Sequence, residues 1–119
     1  MPQTSSLMRP LPVLLEGVQQ DAATAQATTG TGQIFELPMD WNGLPTSVRV
    51  EVSGTFTGLS LDIEGSDDPA FGTPQKLQVG ISVAGSVWIV DKPIRFIRTN
   101  VTAIASNSVT VRFTNAGKG

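Results

Sequence analysis

The chain contains no histidine, no cysteine and no tyrosine, and only 15% of its 119 residues are charged. Without histidine and cysteine it lacks the commonest general base, the best protein nucleophile and the two most frequent transition-metal ligands. A disulfide-stapled or zinc-stapled mini-domain is excluded on the same ground, so stability must come from packing or from neighbours. An ordinary soluble domain carries about 25% charged residues. Here Gly, Ser, Thr, Ala and Val take their place, and much of the surface must be uncharged and hydroxyl-rich. Such a surface suits close packing against another protein, because burying a hydroxyl costs less than burying Lys or Glu, although small β-domains without partners share this composition. A net charge of −2 with eight basic residues leaves no electrostatic footprint for nucleic acid. No apolar run approaches the roughly 20 residues of a membrane-spanning helix, and the length suits one domain with one core.

What is present is a block of short alternating runs from Ser47 to Phe113, separated by Gly, Pro, Asn and Asp. In Ser47-Val-Arg-Val-Glu-Val-Ser53, Val48, Val50 and Val52 share one face and Arg49 and Glu51 the other, the pattern of a half-buried strand. The period returns at Leu59 to Gly65, with Leu59, Leu61 and Ile63 inward and Ser60, Asp62 and Glu64 outward. Further short strands are expected at 76–79, 82–83 and 86–90, with Trp88 in the core. The stretches 94–102 and 108–113 read as a hairpin around Ala105-Ser-Asn-Ser108. Gln33 to Met39 is a strand whose Pro38 argues for an edge. About seven strands with turn signals every eight to twelve residues predict an all-β fold, an antiparallel β-sandwich of jelly-roll or Ig-like type.

The first 32 residues differ in composition. Leu7, Met8, Leu11, Val13, Leu14 and Leu15 are apolar, but Pro10 and Pro12 forbid a continuous helix and favour an extended path. The opening also lacks a basic n-region and an adequate apolar h-region, which argues against a secretory signal and for synthesis and folding in a cytoplasm. Ala22 to Gly32 is small and uncharged, and reads as a linker. The apolar residues ahead of it either add an edge strand to their own domain or reach a partner subunit by strand addition, and the linker favours the partner. The expected organisation is an extended arm and linker over 1–32, a sandwich over 33–115 and a flexible end at 116–119.

Candidate chemistry is thin. Asp62, Glu64, Asp67 and Asp68 lie close in sequence, but no EF-hand spacing selects a cation site and nothing selects a glycosidase pair. A solvated loop with an Asx-turn accounts for Ser66-Asp-Asp-Pro69. Gly30-Thr-Gly32 lacks the Gly-Lys-Ser/Thr of a phosphate loop, and Ser60 and Ser86 sit in no nucleophile elbow. Asn100-Val-Thr102 matches a glycosylation sequon inside a predicted strand, where chance explains it. Arg49, Arg95, Arg98 and Arg112 either line one outer face for a partner's carboxylates or form an ordinary solvent face. Trp41 and Phe71, with Asp67 or Asp68, are the candidates for stacking on and binding a sugar. These readings leave no catalytic residues, no metal site and no cofactor.

The stretch from Val48 to Phe71, a strand, a Gly-Thr-Phe turn, a second strand ending in a Gly-Ser loop and an aromatic, together with Pro93-Ile-Arg-Phe-Ile-Arg-Thr-Asn-Val-Thr102, resembles small virion proteins of tailed bacteriophages. The resemblance covers residues 47 to 113 and rests on turn glycines and core aromatics, so no functional residue carries over. It implies a non-enzymatic structural protein of the capsid decoration (cement), head-fibre or host-binding kind. Because the chain is short and has no coiled-coil heptads for a shaft, the cement role is favoured. The implied partner is then the major capsid protein, contacted by the arm residues above. The implied location is the outer capsid surface, and the implied assembly a homotrimer, with no nucleic acid or membrane involved. The alternative is a host-surface carbohydrate-binding module.

Overall fold

A computed structural model describes residues 12–14, 17–37, 46–89 and 94–118, the side chains of Thr46, Trp88 and 116–118 excepted. Among them the secondary structure is all strand: β1 (Gln19–Gln26), β2 (Gly30–Thr31), β3 (Phe35–Glu36), β4 (Thr46–Ser53), β5 (Phe56–Thr57), β6 (Ser60–Ser66), β7 (Gln75–Ile81), β8 (Gly85–Ile89), β9 (Phe96–Ala103), β10 (Ser106–Asn107) and β11 (Val109–Lys118). Among the described residues no helix is long and apolar enough to cross a membrane.

One sheet has the order β1-β11-β4-β8, and the second runs β2-β9-β6-β7 with β3 also on β9. Counting β2 and β3 as one broken strand, and setting aside the small β5–β10 pair, the antiparallel partners nest. The first strand pairs the last (β1 with β11), the second the next to last (β2 and β3 with β9), then β4 pairs β8 and β6 pairs β7. A long hairpin rolled up in this way is a jelly roll, and the Ig alternative is set aside because β11 lies between β1 and β4.

The expected alternation holds at the centre of both sheets. Val48, Val50 and Val52 of β4, Val109, Val111 and Phe113 of β11, Leu61 and Ile63 of β6 and Ile97 and Val101 of β9 fill the space between the layers. Phe35 meets Phe113 edge to face, with centroids 5.9 Å apart. These valines and isoleucines suit strands because their branched side chains pack on a pleated surface.

Three expectations are corrected. Ala22 to Gly32 is not a linker: β2 pairs β9, β1 pairs β11 from Gln19↔Thr114 to Gln26↔Val109, and Ala22 and Ala23 are buried. The strand lacks period-two patterning because its register is broken between Asp21 and Ala23 and again between Ala23 and Gln26. At the second break Ala25 adopts φ 47° and donates its N–H to Thr110 Oγ1 at 3.0 Å. Secondly, β9 and β11 do not form a hairpin. The chain passes between sheets at 104–108, held by Ala105 N–H to Thr57 O (2.9 Å) and Ser108 N–H to Thr55 O (3.1 Å). Thirdly, Ser82 and Val83 form the turn between β7 and β8 and not a strand.

Candidate functional site

The densest polar cluster lies on the outer face of the β9-β6-β7 sheet. Strand alternation turns Asp62 and Glu64 away from the core, as expected, but they are 9% and 2% exposed and not solvated. Lys76 of β7 reaches both, 3.1 Å from Asp62 Oδ2 and in close contact with Glu64 Oε2. Arg98 Nε donates to Glu64 Oε1 at 2.9 Å, and Asn100 Nδ2 donates to Oε2 at 2.9 Å. The second Asp62 oxygen accepts the N–H of Gly80 at 3.0 Å, where a φ of 69° lets the edge strand bulge inward.

Burial pushes the Glu64 carboxyl up, and the hydrogen bonds from Lys76, Asn100 and Arg98 outweigh that effect and hold it below its ordinary value. Lys76 moves the other way, held above its ordinary value by Glu64 first and then Asp62. A general acid needs a raised carboxyl and a general base needs a free lone pair facing substrate. Glu64 is held low and both its oxygens already accept hydrogen bonds, and the cluster clamps three strands together. Among the described residues no group of three acidic or other ligating side chains is arranged to hold a metal ion.

The loop after β6 folds back over the clamp. Asp68 organises it: its N–H donates to Ser66 Oγ (3.0 Å), and its carboxylate accepts from Ala70 N–H (3.1 Å) and Gly72 N–H (3.4 Å), an Asx-type arrangement. This carries Phe71 to φ 53° and lays its ring against the guanidinium of Arg98, 4.1 Å from the centroid. Phe71 is only 5% exposed, so its ring is no stacking platform for a sugar. Asp67 and Asp68 border a shallow hollow of about 250 Å³ with Ser66, Thr73 and Gln75. Trp41 lies outside the described residues.

Nor do the four arginines share a face. Arg98 belongs to the clamp and Arg95 Nη2 lies 3.3 Å from Glu36 on the same sheet, whereas Arg112 on the other sheet pairs with Asp21 at 2.9 Å. Arg49, also on that other sheet, has its Nε buried without a hydrogen-bond partner.

Of the proposed arm contacts, Leu7, Met8, Leu11 and Leu15 lie outside the described residues. Val13 makes a parallel bridge to Glu36 and is 38% exposed, while Leu14 is fully buried in this chain's own core. Leu14 N–H donates to Glu36 O (2.9 Å), Glu36 N–H to Pro12 O (2.9 Å), and the buried Asn115 Nδ2 to Leu14 O (2.9 Å). The Leu14 side chain is therefore held inside its own domain.

The feature that reading along the chain misses is at one end of the sandwich. The connections at 27–29, 54–59, 82–84 and 104–108 each follow an odd-numbered strand of the rolled hairpin (β1, β4, β7 and β9) and so gather at the same end, and none contains Asp, Glu, Lys or Arg. There an open cleft of about 500 Å³ is lined by Gly54, Thr55, Phe56, Thr57, Ser82, Val83, Ala84 and Asn107. Val83 at its rim is 70% exposed. The available signal was the absence of charge from four separate segments, which becomes one surface only when the topology is known. Compared with known proteins, the chain matches no family model, no curated protein and no solved structure.

Proposed function

We propose that this chain is a non-enzymatic structural protein of a bacteriophage virion, a decoration or cement protein that binds major capsid subunits and stabilises the head. The observation that carries the reading is the uncharged end of the jelly roll. Thr, Ser, Asn and Val surround an open cleft there, while the ion pairs on both sheets join groups within the chain. A surface free of Lys and Glu can be desolvated against another protein at small cost. Binding only the assembled shell would stabilise it by linkage, in proportion to the logarithm of one plus the free concentration over the dissociation constant. With Leu14 in its own core, the contact is assigned to this end. The virion assignment itself rests on the resemblance over residues 47 to 113, because a fold alone does not fix a role.

The test is co-sedimentation of the full chain with undecorated phage capsids, beside Val83→Asp, which places a charge at the rim of the cleft. Saturable binding that Val83→Asp weakens at least tenfold supports the reading. No binding by the unaltered chain overturns it. The cleft's neutral donors and acceptors beside Phe56 favour, as second reading, an uncharged glycan of a host surface. Retention on a neutral-glycan array without capsid binding would establish that alternative.

A further inference from the structure

A sandwich of two open sheets has four edges, and three of them here are blunted. β1 carries two register breaks against β11. β7 carries two against β6, and Lys76 besides. The β2 and β3 edge consists of two-residue strands, with Val13 bridged alongside β3. Bulges, edge lysines, short strands and covering segments are the known devices by which sheets avoid pairing with other chains.

Among the described residues β8 has none of them. It pairs with β4 in unbroken register from Val48↔Ile89 to Val52↔Gly85. It contains no proline and no charge, and the surrounding run from Leu77 to Val90 is uncharged as well. Among the described residues no strand pairs its outer edge. Val79 and Val83, in the strand and turn leading into it, are 59% and 70% exposed.

We propose that β8 is a self-association edge, at which a second copy of this chain adds its own β8 antiparallel about a two-fold axis through Val87. In that register Val87 faces Val87 of the second copy and Gly85 faces Ile89, a small residue against a large one at both ends. These three positions lie opposite Val50, Val52 and Val48, on the core side of the sheet, so the apolar layer continues across the junction. No like charges are brought together, and the outward-facing backbone donors and acceptors of both edges pair with each other. The occupant is a second copy because the segment is complementary to itself. An isologous contact of this kind closes at two copies, in place of the homotrimer that the resemblance implies. The inference is independent of capsid binding, and the experiments on each fail separately.

Sedimentation velocity of the full chain tests it. Twice the mass of one chain is expected at about 100 μM, where an association of about 1 μM is nearly complete. Ser86→Lys adds an edge charge on an exposed residue paired with Glu51, a change the fold accommodates, and should weaken the dimer at least tenfold with the melting temperature retained. The chain has no cysteine, so Val87→Cys reports alone. Directly opposed antiparallel residues lie about 4.5–5.5 Å apart at Cα, within disulfide range. Oxidation should cross-link Val87→Cys and leave Gln78→Cys on β7 uncross-linked. A chain that remains monomeric, a dimer or trimer that Ser86→Lys leaves intact, or a dimeric Val87→Cys that does not cross-link overturns the proposal.

Discussion

Leu14→Ala tests whether the segment before β1 belongs to the domain. Leu14 is fully buried, in a stretch whose backbone is tied to β3 and whose carbonyl accepts from the buried Asn115 side chain. The substitution removes three carbons, worth roughly 2.4 kcal/mol at about 0.8 kcal/mol per buried methylene. Because hydrogen bonds on both sides fix the backbone, the site collapses poorly, and a cavity term brings the loss to about 3 kcal/mol. The loss has a ceiling, since a segment that detaches by local opening cannot cost more than its own docking energy. Urea unfolding of the full chain should show a lower midpoint at unchanged slope, and thermal melting a fall of roughly 10 °C. Val13→Ala, at a residue 38% exposed one position earlier, should stay within about 0.5 kcal/mol. A Leu14→Ala loss below about 1 kcal/mol would refute the placement of this side chain in the core.

The clamp sets a pH dependence. Glu64 is held below its ordinary value of 4.5 in the fold, so its contribution is present at neutral pH and is lost as the pH falls below about 4.5 through the folded value. Glu64→Gln should lower the melting temperature at pH 7 and flatten the acid limb of its pH profile; an unchanged acid limb would count against the clamp. Lys76, held above 10.5, contributes stability below that pH that disappears as the pH rises through its folded value, and Lys76→Met should remove that alkaline limb. Gly32→Ala would drive a methyl group into the Ala22 carbonyl and the Thr99 hydroxyl, so a loss of about 2 kcal/mol or more is expected in urea unfolding. Gly72→Ala, which meets only Asp68 Oδ2 at 3.4 Å, should cost about 1 kcal/mol or less.

How far the fold was legible follows from where each strand keeps its period. β4 and β6 are regular on their inner faces, and Val48 to Val52 and Leu59 to Ile63 could be placed correctly from alternation alone. β1 could not. Its bulges put neighbouring Ala22 and Ala23 both inside, and alanines with threonines and glutamines carry neither large apolar residues nor a period. The outer face of β6 misled in a different way: Asp62 and Glu64 alternate outward correctly, but facing away from the core is not facing water when Lys76, Arg98 and the Phe71 loop lie above. Phe71, in a loop, read as a candidate for stacking on a sugar because the partner that covers it, Arg98, is distant in sequence and is brought over it by β9 pairing with β6.

The low charge content, the first thing visible in the sequence, takes on meaning through the topology. A chain with few charges could scatter them evenly, and every surface would then resist desolvation to the same degree. Here the ladders concentrate them instead. Asp21 meets Arg112 across β1 and β11, and Glu64 meets Arg98 across β6 and β9, so many of the charges are paired in the ladders. The connections at 27–29, 54–59, 82–84 and 104–108 are left without any. Pairing of the remaining charges lowers their availability to a partner, and the neutral end lowers the cost of covering it, so both effects point a partner to the same place. Placing one charge at Val83 and one at Ser86 separates the two surfaces proposed here: the first lies on the cleft rim and the second on the β8 edge. Loss of shell binding with the dimer intact, and loss of the dimer with shell binding intact, are the paired results this division of the molecule requires.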